Sequence, residues 1–263
     1  MIHTKPTRRS HRKIAAKLGV VKLVRRSKTG ALVYAQRGGN QTATDREGIS
    51  LDAYIHALFA LVLGSTAKRV LMIGCAGGTL ATMLHRAGRK VTVVDIDPSA
   101  FAIARKHFKM PRAVRCRTGD GLVYLQTTRA RFDAVVIDAF IGERVPEHFT
   151  GDEFCAAARR ALTRHGAVLV NFCLDTTRDL AADRLARRFK HHRWTVRVLD
   201  EGGGERNAIV CAGHVKHLRR PRLIMPPEFD SDRLGRELTT WKFRRVAPRH
   251  RLRSGAQHHG GSS

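Results

Sequence analysis

Three aspartates and a run of small residues are spaced along the chain like the polar ends of successive buried strands. The apolar segment RVLMIGCAGGTL breaks into small residues where a strand would turn into a helix, so backbone N–H groups there could face a ligand closely. These small residues are Gly74, Ala76, Gly77 and Gly78. Asp95, in VTVVDIDP, follows about twenty residues later, at the spacing where a carboxylate accepts hydrogen bonds from ribose hydroxyls.

Asp120 in TGDG and Asp138 in FDAVVIDAF extend this pattern to a third and a fourth strand end. Asp120 could receive a hydrogen bond from an adenine amino group, and Asp138 would lie beside the reacting end of the ligand. Each carboxylate alone is typical of a helix cap or a loop. Together they predict a nucleoside pocket, because ligands of open α/β sheets bind at the carboxyl ends of the strands. Their neighbours Ile96 and Gly121 are expected to border the same nucleoside.

A nicotinamide cofactor is the weaker alternative for this pocket. Such a site would have a third glycine opening the helix, where the segment GCAGGT has Thr79. The glycine loop by itself is equally typical of a tight turn that binds nothing.

Short apolar runs alternate with helical patterns from residue 69 onward, which predicts an α/β fold with a mostly parallel sheet covered on both faces. The expected strands are residues 69–73, 90–95, 113–116, 132–138 and 167–173. The expected helices are residues 51–63, 98–108, 121–126, 152–162 and 177–189, with another from Thr79. Two later β runs, 195–199 and 207–211, are joined so tightly that they must pair antiparallel. A mostly parallel sheet ending in an antiparallel hairpin indicates a class I S-adenosylmethionine-dependent methyltransferase-like (Rossmann-like) fold.

The chain is expected to divide into three parts. Residues 1–50 form a basic N-terminal tail and a small β hairpin, whose strands, 20–25 and 31–36, flank the turn SKTG. Residues 51–215 form the methyltransferase-like catalytic domain. Residues 216–263 form a basic, largely irregular C-terminal extension that is mostly disordered from residue 244.

Composition places the chain among soluble globular proteins, with 43% apolar residues in 263. The longest apolar stretch, 54–63, is too short to span a bilayer, and no export signal is apparent.

The five cysteines are scattered without a CxxC pair, which favours a reduced, cytoplasmic protein. The histidine pairs lack carboxylate or cysteine partners, so no metal site is expected. These pairs are His191-His192, His214/His217 and His258-His259.

The charge balance is extreme, with a net charge of +27. Residues 1–30 contain ten Lys and Arg and no acidic residue. Such a field attracts nucleic acid and other polyanions, so nonspecific contacts through the basic tails are expected. Aromatic residues are not interleaved with the basic ones, and base-specific recognition is not indicated.

Several motifs together resemble the spermidine synthase family of aminopropyltransferases, especially its bacterial spermidine synthase-like members. They are RVLMIGCAGGTL, VTVVDIDPSAF, TGDG, FDAVVIDAF, VPEHFTGDEF and GAVLVNF, within residues 41–212. The resemblance implies a small N-terminal β domain before a methyltransferase-like domain. It also implies that the chain binds decarboxylated S-adenosylmethionine, transfers its aminopropyl group to a polyamine and releases methylthioadenosine. Family members commonly form dimers, so a homodimer is expected.

The resemblance also assigns roles by position. Asp138 matches the first aspartate of the family's D-x-x-D segment, the base that accepts the proton of the attacking amine. Gln41 and Tyr54 lie where the N-terminal domain of the family closes over the site. The nucleoside-binding positions implied by the resemblance are Gly74, Ala76, Gly78, Asp95, Asp120 and Gly121.

Two departures from the family pattern remove negative charge. The family's GGGDGG loop has an aspartate that holds the donor's ammonium, where this chain has Gly77, and the second aspartate of D-x-x-D is Ile141. Glu143 or Glu147 could supply the missing anchor for the acceptor, although Glu147 is equally typical of a charge at a helix start.

Three functions therefore stay open. The leading one is aminopropyl transfer from a decarboxylated donor to an amine. The second is methyl transfer from ordinary S-adenosylmethionine to RNA, DNA or an acidic small molecule, for which Gly77 would leave room for the donor's carboxylate. The third is a noncatalytic nucleoside- or polyanion-binding protein.

Overall fold

Two β-sheets organise the computed structural model of this chain, which describes residues 10–16, 19–36, 39–142 and 144–248. The first is a four-stranded antiparallel sheet in the order β1-β2-β3-β4. Its strands are β1 (Ser10–Ile14), β2 (Val21–Arg25), β3 (Leu32–Gln36) and β4 (Gly39–Thr44). The hairpin expected at 20–25 and 31–36 is confirmed as β2 and β3. The two flanking strands, SHRKI and GNQTAT, are too polar to show a strand's apolar alternation.

The second sheet has eight strands in the order β12-β10-β11-β9-β8-β5-β6-β7. Strands β5 to β9 are parallel, and the other three are joined antiparallel beyond β9. The strands are β5 (Arg69–Ile73), β6 (Lys90–Asp95), β7 (Arg115–Thr118), β8 (Phe132–Ile137), β9 (Leu162–Leu174), β10 (Val196–Asp200), β11 (Arg206–Gly213) and β12 (Lys242–Arg244). The mostly parallel sheet with a C-terminal antiparallel hairpin is confirmed.

Seven helices in the described residues cover both faces of the second sheet. They are α1 (Ala53–Gly64), α2 (Thr79–Arg86), α3 (Pro98–His107), α4 (Gly121–Thr127), α5 (Asp152–Ala161), α6 (Ala181–His191) and α7 (Ser231–Thr240). Apolar residues of α1, α2, α3 and α7 form one core with the sheet, and those of α4, α5 and α6 form another on the opposite face. None of the helices in this described part is long and apolar enough to cross a bilayer.

The region after residue 215 differs from the irregular structure expected there, because it contains α7 and β12. Leu234 and Leu238, one helical turn apart, are buried together with Trp241 against the first core. Strand β12 then pairs with β10, with Lys242 opposite Asp200. The disorder expected from residue 244 is wrong for residues 244–248, because Arg244 ends β12 and the amide of Ala247 donates to Oδ1 of Asp183 (2.6 Å). The rest of that segment, residues 249–263, and the basic tail at 1–9 fall outside the described residues. The division into three parts stays a prediction.

Candidate active site

The carboxyl ends of three parallel strands meet at the point where the sheet order reverses. Strand β5 lies between β6 and β8. The chain leaves β5 for α2 on one face of the sheet and leaves β8 for α5 on the other, so a crevice opens at this end. The amide of Gly74 donates to the carbonyl of Val94 (2.9 Å), and the amide of Asp138 donates to the carbonyl of Ile73 (2.9 Å). These bonds bring the glycine loop and Asp138 side by side.

Gly74 is required by this close approach. Its φ is +98°, and a Cβ placed there would lie 2.1 Å from the carbonyl oxygen of Asp138. Any side chain would push the loop and the end of β8 apart. The glycine therefore sets the position of Asp138 relative to the loop.

A cavity of about 170 Å³ occupies the crevice. It is lined by eight of the residues that the sequence indicated: Gln41, Gly74, Ala76, Asp95, Ile96, Asp120, Gly121 and Asp138. An adjoining cavity of about 30 Å³ shares four of them and adds Tyr54. Tyr54 thus lies in the same cavity as Asp138, while the nucleoside candidates Asp95 and Asp120 line the larger one.

Asp95 ties the glycine loop to the end of β6. Its Oδ2 accepts from the amide of Cys75 (2.7 Å) and its Oδ1 from the amide of Asp97 (2.8 Å). Burial raises the pKa of Asp95, and these two backbone bonds oppose that effect. Each carboxylate oxygen keeps a further lone pair, so the side chain is held in place and can still accept from a ligand.

Asp120 begins α4. Its Oδ1 accepts from the amides of Leu122 (2.8 Å) and Val123 (2.9 Å), so one oxygen caps the helix. The other oxygen, Oδ2, lies 3.6 Å from Nε2 of His148, which lines the same cavity. Sequence reasoning missed His148, because the motif VPEHFTGDEF does not show that its histidine lies beside Asp120.

Asp138 is a buried carboxyl of the larger cavity, and its pKa is strongly raised. Burial raises its pKa to about 6, an amide hydrogen bond from Asn171 opposes the rise, and the negative charge of Asp52 adds to it. The Nδ2 of Asn171 lies 3.0 Å from Oδ1 of Asp138. In turn the Nδ2 of Asn207 donates to Oδ1 of Asn171 (3.2 Å). A carboxyl that titrates near neutral pH is suited to accept a proton and release it again.

Asp52 is a second carboxylate near Asp138 that the sequence did not reveal. It directly precedes α1, and its Oδ2 accepts from the amide of Ala43 on β4 (3.0 Å). Burial raises the pKa of Tyr54, and the negative charges of Asp138 and Asp52 raise it further. Tyr54 therefore lies within the electrostatic reach of both carboxylates.

Two predicted loop residues do not line either cavity. A Cβ on Gly77 would lie 2.7 Å from Cγ2 of Thr42, and its amide donates to the Thr42 hydroxyl (3.2 Å). A Cβ on Gly78 would lie 2.7 Å from the sulfur of Met110. The expectation that Gly77 leaves room for a carboxylate is wrong, because Thr42 and Phe108 fill that space. Gly78 packs against Met110 rather than lining the nucleoside site.

Glu147 does not join Asp138 in the described structure. Glu147 begins a single 3₁₀ turn, Glu147–Phe149, and lines a separate groove with Cys173. The turn directs Phe149 into the core and leaves Glu147 exposed. Ile141 lines the larger cavity and is 60% exposed. The candidate Glu143 lies outside the described residues.

The four-stranded sheet also borders the cavity, beside the glycine loop. Tyr34 and Gln36 on β3 line it together with Gln41 on β4. Only Gln41 was expected, because an alternating strand does not itself show which pocket it covers. Within the described residues, no group of three or more His, Cys, Asp or Glu side chains is placed to hold a metal ion.

Known proteins are similar to this chain both in sequence and in fold. A methyltransferase domain family matches residues 70–166. A polyamine aminopropyltransferase from Vibrio vulnificus is 30% identical over 121 residues, which cover 43% of this chain and 40% of that protein. This part of the chain is similar in sequence to a polyamine aminopropyltransferase. A probable polyamine aminopropyl transferase from Bifidobacterium longum is 25% identical over 233 residues, 81% of this chain and 50% of that protein. The chain thus spans half or less of the length of these curated relatives.

Solved structures show that this chain has a methyltransferase-like fold that spermidine synthases share. A probable spermidine synthase from Corynebacterium glutamicum superposes with a TM-score of 0.72 at 18% identity, covering 89% of this chain and 90% of that one. A spermidine synthase from Thermotoga maritima gives a TM-score of 0.61 at 18% identity, covering 87% and 88%.

Proposed function

We propose that this protein is a spermidine synthase-like transferase that binds decarboxylated S-adenosylmethionine and moves its aminopropyl group to an amine, a reaction of polyamine biosynthesis. One observation carries the proposal. The described residues that line the two cavities include four aspartates and no Lys or Arg, on a chain of net charge +27. A pocket of this charge favours cationic ligands, and both the donor and an amine acceptor are cations.

The donor's nucleoside would contact the residues that line the larger cavity. Asp95 would accept hydrogen bonds from the ribose hydroxyls, and Asp120 with Gly121 would border the adenine. A Cβ on Gly121 would lie 2.3 Å from a methyl of Ile73, so the helix start lies directly against the end of β5. Ordinary S-adenosylmethionine has a carboxylate that would find no cation among these lining residues, which favours the decarboxylated form.

Asp138 would act as the base. A primary amine with a pKa of about 10.4 is protonated at pH 7, and making it neutral costs about 4 to 5 kcal/mol. The neutral nitrogen attacks the aminopropyl carbon next to the sulfonium sulfur, a C–N bond forms, and the C–S electron pair returns to sulfur to give methylthioadenosine. Asp138 takes the proton that the nitrogen loses. Its pKa of about 6 keeps it mostly ionised at neutral pH and ready to receive that proton.

The acceptor's second ammonium would be held by Asp52 rather than by a loop glutamate. Asp52 lies close enough to Asp138 to raise its pKa, and Tyr54 lies in the electrostatic reach of both. Asp52 would thus replace the carboxylate that the family has at the position of Ile141. Glu147 would contact only an acceptor long enough to reach its separate groove. A role for Glu143 stays a prediction, as do a homodimer and a cytoplasmic location.

A product assay tests the proposal. Purified protein, freed of nucleic acid, is incubated with S-adenosylmethionine or its decarboxylated form and a panel of diamines and RNA, and the products are identified by mass spectrometry. Methylthioadenosine above a no-enzyme control, abolished in Asp138→Asn and kept in Glu153→Gln, is the expected result. S-adenosylhomocysteine would instead assign methyl transfer, the function suggested by the methyltransferase domain match at residues 70–166. Donor binding without either product would indicate a noncatalytic protein.

A further inference from the structure

Among the residues that the structure describes, the outer edge of the four-stranded sheet is a cluster of cations with no acidic partner in an ion pair. The sequence contains no Asp or Glu before Asp45. In the described residues, no ion pair involves a basic side chain of β1 or β2. We call this surface the basic edge; it consists of Arg12, Lys13, Lys22, Arg25, Lys106 and His107.

Strand pairing forces these like charges together. Lys13 lies directly opposite Lys22 in the register of β1 and β2, and both side chains are exposed. Like charges in such a cross-strand pair are destabilising. On the other face of the two strands, Arg12 and Arg25 lie close enough to α3 to affect His107. Burial lowers the pKa of His107, and the charges of Arg12, Lys106 and Arg25 lower it further.

Folding does not need these cations. The sheet is held to α3 by a separate apolar cluster, in which Val21, Leu23 and Tyr34 pack against Ile103 and Phe108. The exposed lysines and arginines contribute repulsion and no core contact. A surface that keeps such charge together is stabilised when a polyanion binds and replaces its counterions.

We propose that the basic edge binds the phosphate backbone of double-stranded nucleic acid. Strand β1 is the outermost strand of its sheet, so its free backbone N–H groups lie beside the cations and can also donate to phosphates. The described edge has no exposed aromatic residue on which single-stranded bases could stack. Its one exposed large apolar residue, Val20, is too little to anchor the sheet in a membrane. Binding is independent of base sequence and independent of the transferase reaction.

Fluorescence anisotropy with short labelled RNA and DNA duplexes, at several salt concentrations, tests this proposal on the full chain. One variant neutralises the edge: Arg12→Gln, Lys13→Gln, Lys22→Gln and Arg25→Gln. The control removes the same charge from exposed positions elsewhere: Arg129→Gln, Arg131→Gln, Arg160→Gln and Arg164→Gln. The edge variant is expected to bind more weakly and to lower the slope of log K against log salt by about 3 to 4, since each phosphate contact contributes about 0.9. The control variant is expected to keep most of the slope of log K against log salt that the unmodified protein shows.

A second measurement needs no variant. The pKa of His107, followed by NMR in the unmodified protein, is expected to rise when a duplex binds, because phosphates offset the neighbouring cations. Equal losses in both variants, or an unmoved His107 with a bound duplex, would overturn the proposal, since binding would then be spread over the surface or located elsewhere. Binding to phosphatidylserine vesicles but not to duplexes would also overturn it, in favour of a membrane surface.

Discussion

The side-chain amide of Asn171 donates to Oδ1 of Asp138 across 3.0 Å, and it does so from β9 to the end of the neighbouring strand β8. This bond favours the ionised carboxylate, whereas burial and the charge of Asp52 favour the protonated form. The protonation of the proposed base is therefore set by two neighbours that act in opposite directions.

Asn171→Ala is expected to raise the pKa of Asp138 above about 6 and to move the acid limb of the kcat/KM profile to higher pH. The loss at neutral pH should shrink as the pH rises, because the remaining carboxylate ionises. Measured pH–rate profiles check this, with Asn207→Ala as the control, since Asn207 contacts Asn171 and not the carboxylate. A uniform loss of activity at all pH values would show that Asn171 contributes only to packing.

Asp52→Asn is expected to move the acid limb of the kcat/KM profile to lower pH, because it removes a negative charge that raises the pKa of Asp138. If Asp52 holds the acceptor's second ammonium, KM for a diamine should also rise by about 10- to 150-fold, the equivalent of a charged hydrogen bond of about 1.5 to 3 kcal/mol. KM for the donor should change little. Steady-state kinetics with each substrate varied separately distinguish these effects, and an unchanged acceptor KM would refute the anchoring role.

Asp138→Asn is expected to stabilise the folded protein at about pH 8 and to have little effect on stability at about pH 4. The pKa of Asp138 in the folded protein, about 6, lies above the ordinary value of 3.8. Ionising this buried carboxyl therefore lowers the free energy of unfolding as the pH rises through this range. The cost at full ionisation is on the order of 3 kcal/mol. Urea unfolding across this pH range measures it, with exposed Glu153→Gln as the matched control. A stability difference that does not grow with pH would contradict the assignment.

Gly74→Ala is expected to reduce both stability and donor binding. The new Cβ would meet the carbonyl of Asp138 at 2.1 Å, and the φ of +98° is strained for any side chain. Gly64→Ala, at the end of α1 with no atom within 4 Å of its Cβ, is the control and should be neutral or slightly stabilising. Thermal unfolding and donor titration check both variants. A Gly74→Ala protein as stable as the control would show that the loop can relax.

Local patterns in the sequence determined the elements of the main sheet and the residues at its strand ends. Strand β6 has the predicted bounds Lys90–Asp95, and the carboxylates Asp95, Asp120 and Asp138 line one cavity as expected. Apolar periodicity sets which face of each segment is buried, and parallel strands place their carboxyl ends along one edge. These are properties of short segments, so they can be read without knowing the tertiary fold.

Only the tertiary structure decided which distant residues surround Asp138. Asn171 contacts it from β9, Asp52 acts on it from the start of α1, and Asn207 on β11 contacts Asn171. None of the three lies in a motif with Asp138. The structure also showed that Thr42, thirty-five positions from Gly77, occupies the space beside that glycine. Such contacts depend on the order of strands in the sheet and on how the four-stranded sheet closes over it. Spacing along the chain does not encode that arrangement, because it is set by the packing of whole elements against one another.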